Sequence, residues 1–182
     1  MTFPALFPTL LGDDAWRALP AAVQAMHGAA PLLRASGVAD VDGAGHFPAR
    51  CLRRLLGLPA PGPQQALALT IERHGNREVW TRRFTGRRMQ SRLDRHAGSP
   101  LLHEHLGPAT LRFALRRDGD AIDWQLRGVS LLGLRLPRSF CGTVRSRSGA
   151  HDGRYAFDID VRLPLLGRLV AYRGWLEIDR VT

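Results

Sequence analysis

Lysine is missing from this chain of 182 residues, and all 26 basic side chains are arginine. That absence excludes a lysine Schiff base, a lysine nucleophile and the phosphate-binding GxxxxGK[ST] loop. No GxSxG elbow, no HExxH and no GxGxxG opening a helix after a strand is present either. Cysteine is scarce: Cys51 and Cys141 stand far apart, outside any CxxC or His-paired spacing, and read as free thiols. Long apolar runs are also lacking, so no window has the length of a membrane-spanning helix. The opening residues MTFPALFPTLLGDDAW carry no basic segment, no apolar stretch of leader length and no small-residue cleavage site. A soluble cytoplasmic protein is the expectation.

Acidic residues number 16 against the 26 arginines, giving a net charge of +10 and a pI near 11.4. Such a balance ordinarily points to nucleic acid or an anionic membrane. Here the arginines are dispersed, and short runs such as Arg53-Arg54, Arg82-Arg83, Arg87-Arg88 and Arg116-Arg117 read as solvated faces. Abundant Ala, Gly, Leu and Pro fit a GC-rich coding sequence, which also favours arginine over lysine. Nucleic acid is therefore not favoured as a partner, and peripheral association with an anionic membrane stays open.

Hydrophobic residues make up 45% and charged residues 23% of the chain, enough for one globular domain over residues 1–182 without a metal or disulfide. Its strongest pattern lies near the C-terminus. Tyr155, Phe157, Ile159, Val161 and Leu163 alternate with Arg154, Ala156, Asp158, Asp160 and Arg162, the period of a half-buried strand. After Leu163-Pro164-Leu165-Leu166-Gly167 the alternation resumes at Val170, Tyr172, Leu176 and Ile178. Gly174 interrupts that face, where a sheet bends or a neighbour approaches closely. The two segments predict a long antiparallel hairpin.

Earlier in the chain, Phe3 to Leu11 is apolar and punctuated by Pro4 and Pro8. Asp13 and Asp14 then open a helix through Trp16, Leu19, Val23 and Met26, broken or restarted at Pro20 and ended at His27-Gly28. A short segment at Leu32 to Val41 precedes a second helix over Phe47 to Leu58. Its Cys51, Leu52, Leu55 and Leu56 form one stripe, with Arg50, Arg53 and Arg54 opposite. The proline-rich connector Leu58-Pro59-Ala60-Pro61-Gly62-Pro63 separates this helical arm, residues 1–58, from an antiparallel sheet, residues 64–182. In the sheet, alternating sets such as Leu67/Leu69/Ile71, Trp80/Phe84 and Leu111/Phe113/Leu115 are spaced by turns, Asp118-Gly119-Asp120 among them. The apolar phase slips at Gly128, which predicts a bulge. Eight or nine such strands predict a mainly β, α+β fold: a large curved meander, either a half-barrel or a closed lipocalin-like barrel, with N-terminal helices against it.

Candidate chemistry is sparse. His103-Glu104-His105 puts both histidines on one face of a strand, but a metal needs a third ligand from elsewhere, and no metal or cofactor is expected. Glu104 shares its face with Leu102 and Leu106, and a carboxylate there must pair with a cation or shift its pKa. Arg82, between Trp80 and Phe84, and Arg83, on the opposite face, are its two candidate partners. Tyr172 offers a hydroxyl on an apolar face.

Several segments carry a resemblance: Leu10-Leu11-Gly12, Leu19-Pro20 with His27-Gly28, Leu55-Leu56-Gly57-Leu58-Pro59, Trp80 with Arg83-Phe84, and Glu104-His105-Leu106-Gly107-Pro108. Leu134-Arg135-Leu136-Pro137, Phe157-Asp158-Ile159, Leu163-Pro164-Leu165-Leu166-Gly167 and Tyr172-Arg173-Gly174-Trp175 continue it. In their order and spacing they resemble the bacterial domain of unknown function 4166. The resemblance implies that Trp80, Arg83, Glu104, Gly107, Pro108 and Tyr172 fit the family's pattern, and it brings no established activity with it.

The residues support a non-enzymatic module holding a small apolar or amphipathic ligand against the curved sheet. Arg83, Glu104 and Tyr172 are its candidate polar anchors, with Trp80 and Phe84 as walls. Two alternatives remain: an enzyme acting on such a ligand with Glu104 or His103 as general base, and a basic surface for nucleic acid or anionic membrane. No catalytic residue is assigned, and oligomeric state does not follow from the sequence.

Overall fold

The computed structural model describes residues 5–181, so Phe3 and Pro4 of the apolar entry lie outside it. Three short helices come first, α1 (Leu6–Leu11), α2 (Asp13–Arg17) and α3 (Ala21–His27). Pro20 separates the last two, since it cannot donate into a continuing helix. Asp13 and Asp14 sit in the first turn of α2, against the positive end of its dipole. Next come β1 (Leu32–Asp42), α4 (Phe47–Leu55), β2 (Gly62–His74), β3 (Arg77–Phe84), β4 (Arg87–Asp94) and β5 (Leu102–Leu106). The chain ends with β6 (Ala109–Asp118), β7 (Ala121–Leu131), the two-residue β8 (Leu134–Arg135), α5 (Arg138–Cys141), β9 (Thr143–His151), β10 (Arg154–Leu163) and β11 (Gly167–Val181).

Ten strands form one closed antiparallel barrel in the order β6-β5-β4-β3-β2-β1-β11-β10-β9-β7, and pairing of β6 with β7 completes the ring. Of the two predicted forms, half-barrel and closed barrel, the second is present, and closure leaves no long unpaired edge. Alternation builds the wall: Leu67, Leu69, Ile71, Trp80, Phe84, Met89 and Leu93 are all buried. The predicted hairpin is β10–β11, and β11 extends past it to Val181. The slip near Gly128 is a bulge, with Arg112 opposite Gly128 and Phe113 opposite Leu126, leaving Arg127 outside the register.

Two expectations change. The helical arm expected over residues 1–58 contains β1, which pairs with β2 on one side and β11 on the other. Its alternation is faint because Ala35, Ser36, Gly37 and Ala39 carry little apolar signal. A Cβ on Gly37 would stand 2.1 Å from the Trp175 carbonyl oxygen, so only a bare backbone fits there. Helix α4 is also turned from its predicted face: Leu55 is exposed while Arg53 is buried, donating from Nη1 to the carbonyls of Ala44 (2.7 Å) and Leu169 (3.0 Å). A guanidinium that meets backbone carbonyls outcompetes a leucine for the inner position.

The barrel ends differ. At one end α1 and α3 form a plug: Phe7, Val23, Met26 and His27 are completely buried, with the Phe7 and His27 rings against Trp80 and Trp124 and the His27 ring also against Tyr155. Arg73 fastens the plug, donating to the carbonyls of Ala30 (2.8 Å) and Met26 (2.7 Å) while its Nε meets Glu78 Oε1 at 3.2 Å. Around the other end, the mouth, lie α4, the β5–β6 and β7–β8 turns, α5 and the β10–β11 turn.

Candidate functional site

Inside the barrel, toward the mouth, is a cavity of about 90 Å³ with walls that include Leu58, Leu111, Phe113, Val144, Val161 and Val170. Polar side chains reach this space from five strands: Arg82 of β3, Glu104 of β5, Ser146 and Ser148 of β9, Tyr155 of β10 and Tyr172 of β11. Arg82 of β3 places Nη1 3.1 Å from Ser91 Oγ and 3.9 Å from Glu104 Oε1, with its guanidinium carbon 4.9 Å above the Trp80 ring. The side chains of Arg82 and Glu104 are only 11% and 14% exposed, so the pair stands in an interior where charge separation would be costly. Tyr172 of β11 is buried, its ring edge-on to Phe84 at 5.7 Å, and among the described residues its hydroxyl makes no hydrogen bond. Burial raises its pKa, so the hydroxyl stays protonated and able to donate.

Of the five residues the sequence proposes, Trp80, Glu104 and Tyr172 line the cavity, and Phe84 is packed behind Tyr172. Arg83 is on the outer wall and exposed, opposite Ala68 and Arg88. The cation that meets Glu104 is Arg82, the other of the two candidates, as the even-numbered phase of β3 requires. Glu104 faces inward and His103 outward, so the two cannot act on one substrate.

Sequence reading misses the deeper polar layer. Glu78 is 2% exposed, accepting from Trp80 Nε1 at 2.7 Å and pairing with Arg73; burial raises its pKa, against the pull of Arg73. Tyr155 donates to Ser148 Oγ at 2.9 Å, and His27 Nε2 lies 3.2 Å from the same phenol oxygen. With the phenol O–H directed at Ser148 Oγ, the contact with the phenol oxygen calls for the imidazole proton on Nε2, and Nδ1 has no partner. Burial pushes the Tyr155 pKa up to about 12 and holds that of His27 well below its ordinary value. Glu78 meets Trp80 and Arg73 within five residues, yet only the fold shows that they are buried together, and the contact of His27 with Tyr155 spans 128 residues.

On the outer wall His103 and His105 lie side by side, as predicted, next to Asp94. Burial and the neighbouring His96 hold the His103 pKa below its ordinary value.

The family model described as Domain of unknown function (DUF4166) matches residues 19–176, most of the chain. The chain belongs to the DUF4166 family. Comparison with the curated proteins gives no match. For this DUF4166 domain the match begins at Leu19, inside the plug, and ends at Leu176 of β11. It therefore takes in nine barrel strands whole, β11 as far as Leu176, and every cavity residue named above.

Proposed function

We propose that this domain is a binding module for a small amphipathic molecule, whose apolar part enters the barrel through the mouth and whose polar group meets Arg82, Glu104 and Tyr172. The observation that carries this reading is an ion pair and an uncommitted hydroxyl bordering one apolar void. Polar groups placed in this way orient a ligand, whereas a core built only for stability does better with hydrocarbon. At about 90 Å³ the void matches roughly three waters of liquid volume, so the buried part of the ligand is a few heavy atoms unless Leu58 and its neighbours move. Native mass spectrometry of the freshly purified chain, followed by organic extraction and titration with octanoate, tests the proposal. A released small molecule, or octanoate binding weakened about tenfold in Glu104→Gln and abolished in the cavity-filling Leu111→Trp, is the expected result. No retained mass together with no octanoate binding overturns it.

A second reading rests on the mouth. Phe47, Leu55, Leu131, Leu132, Leu134, Phe140 and Leu165 are all exposed there, Leu132 at 79% and Leu165 at 102%. Arg50, Arg54, Arg135 and Arg138 lie on the same rim, exposed, and form no ion pair among the described residues. Large apolar side chains ringed by arginine suit an anionic lipid surface, which would bring the mouth to the acyl layer. Co-sedimentation with anionic vesicles tests this.

A further inference from the structure

Asp94, the last residue of β4, stands opposite His103 of β5 on the outer wall, and His96 follows two residues later in the loop between those strands. One ligand atom from each of the three lies within 4.8 Å of the others, with Asp94 Oδ1 3.8 Å from His103 Nδ1. The His96 and His103 rings are 4.2 Å apart and perpendicular, so both can turn a nitrogen toward the carboxylate. Asp94 is 7% exposed, yet its Oδ1 has no hydrogen-bond partner. A buried carboxylate oxygen left bare in this way is costly unless something positive meets it. The arginines nearby do not: Arg92 Nε lies 3.5 Å from the other oxygen, Oδ2, and Arg112 is turned to Ser130 Oγ at 2.8 Å.

We propose that Asp94, His96 and His103 form a site for a first-row divalent metal ion, with zinc as the fitting case. Two imidazoles and one carboxylate are a set such ions take, and the exposure of His96 leaves a fourth position open to solvent. Tetrahedral ligands about 2.0 Å from zinc stand roughly 3.3 Å from one another, so from separations of up to 4.8 Å the three atoms close by about 1.5 Å on an ion. His105 is the positioning residue. Its Nδ1 is 3.1 Å from Thr110 Oγ1, and its Nε2 lies 3.1 Å from Asp94 Oδ2 but outside hydrogen-bond geometry, so a small rotation of the ring would let it hold the ligating carboxylate from behind. The sequence shows the His103/His105 pair but expects no metal. The third and fourth groups come from the adjacent strand and its loop.

The test uses the full chain carrying Cys51→Ser, which removes the exposed thiol, after chelator treatment. Calorimetric titration with zinc chloride should show one ion per chain, and cobalt should give the strong visible absorption of a tetrahedral site. Because His96 is exposed, His96→Ala should leave the metal-free melting temperature unchanged and weaken zinc at least about tenfold, while His105→Gln weakens it roughly 10–100-fold. No zinc uptake by the parent chain, or equal affinity in a folded His96→Ala/His103→Gln variant, overturns the proposal.

Discussion

His27 illustrates how one buried group contributes to the response of the fold to pH. It is fully enclosed, its centroid 4.0 Å from the Phe7 ring, and its neutral form is the one the interior accepts. In the unfolded chain the same group has a pKa near 6.5. Below that pH the unfolded state binds a proton that the folded state refuses, so the stability His27 allows is present above about pH 6.5 and is lost as pH falls. His103, also lowered, acts in the same direction. Unfolding free energies from urea titrations should fall between pH 7 and pH 5 with a slope of up to about 1.4 kcal/mol per pH unit for each such proton. His27→Gln should flatten that slope, and equal slopes in the two proteins would refute the assignment. The sequence shows His27 only as the end of a helix, because burial is contributed by α1 and by strands more than 50 residues away.

At the scale of elements, strand alternation was the readable signal, and glycine marked where it had to yield. Gly174 lies on β11 opposite Ala39 of β1, and a Cβ there would come within 2.0 Å of the Val38 carbonyl oxygen and 2.9 Å of Ala39 Cα. Both neighbours are backbone and cannot swing aside. Gly174→Ala should therefore cost about 1–3 kcal/mol in urea unfolding, as overpacking typically does. Gly45→Ala, where nothing lies within 4 Å, should stay close to wild type. A Gly174→Ala protein as stable as Gly45→Ala would overturn the packing argument, since the chain-entropy effect of adding a methyl group is stabilising at both positions. Helix α4 marks the limit of pattern reading. Its apolar stripe is legible, but which face turns inward was decided by the carbonyls of Ala44 and Leu169 that Arg53 reaches.

At the scale of the molecule, closure of the barrel creates one plugged end and one apolar, arginine-ringed mouth. If that mouth docks on lipid, vesicles rich in anionic lipid should sediment the protein at low salt, and binding should fall steeply as ionic strength rises. Leu132→Ser/Leu165→Ser should weaken it at least severalfold, and absence of binding at low salt would dispose of the reading. The sequence by itself determined the antiparallel strands, the long C-terminal hairpin, the bulge near Gly128 and the inward phase of Trp80, Glu104 and Tyr172, because period-two alternation is a local property of the chain. Only the tertiary structure decided that the sheet closes, that β1 belongs to it, that Arg82 is the partner of Glu104, and that Asp94 and His96 stand beside His103. Those are relations between strands, and register across a barrel is fixed by packing and closure, which no single segment encodes.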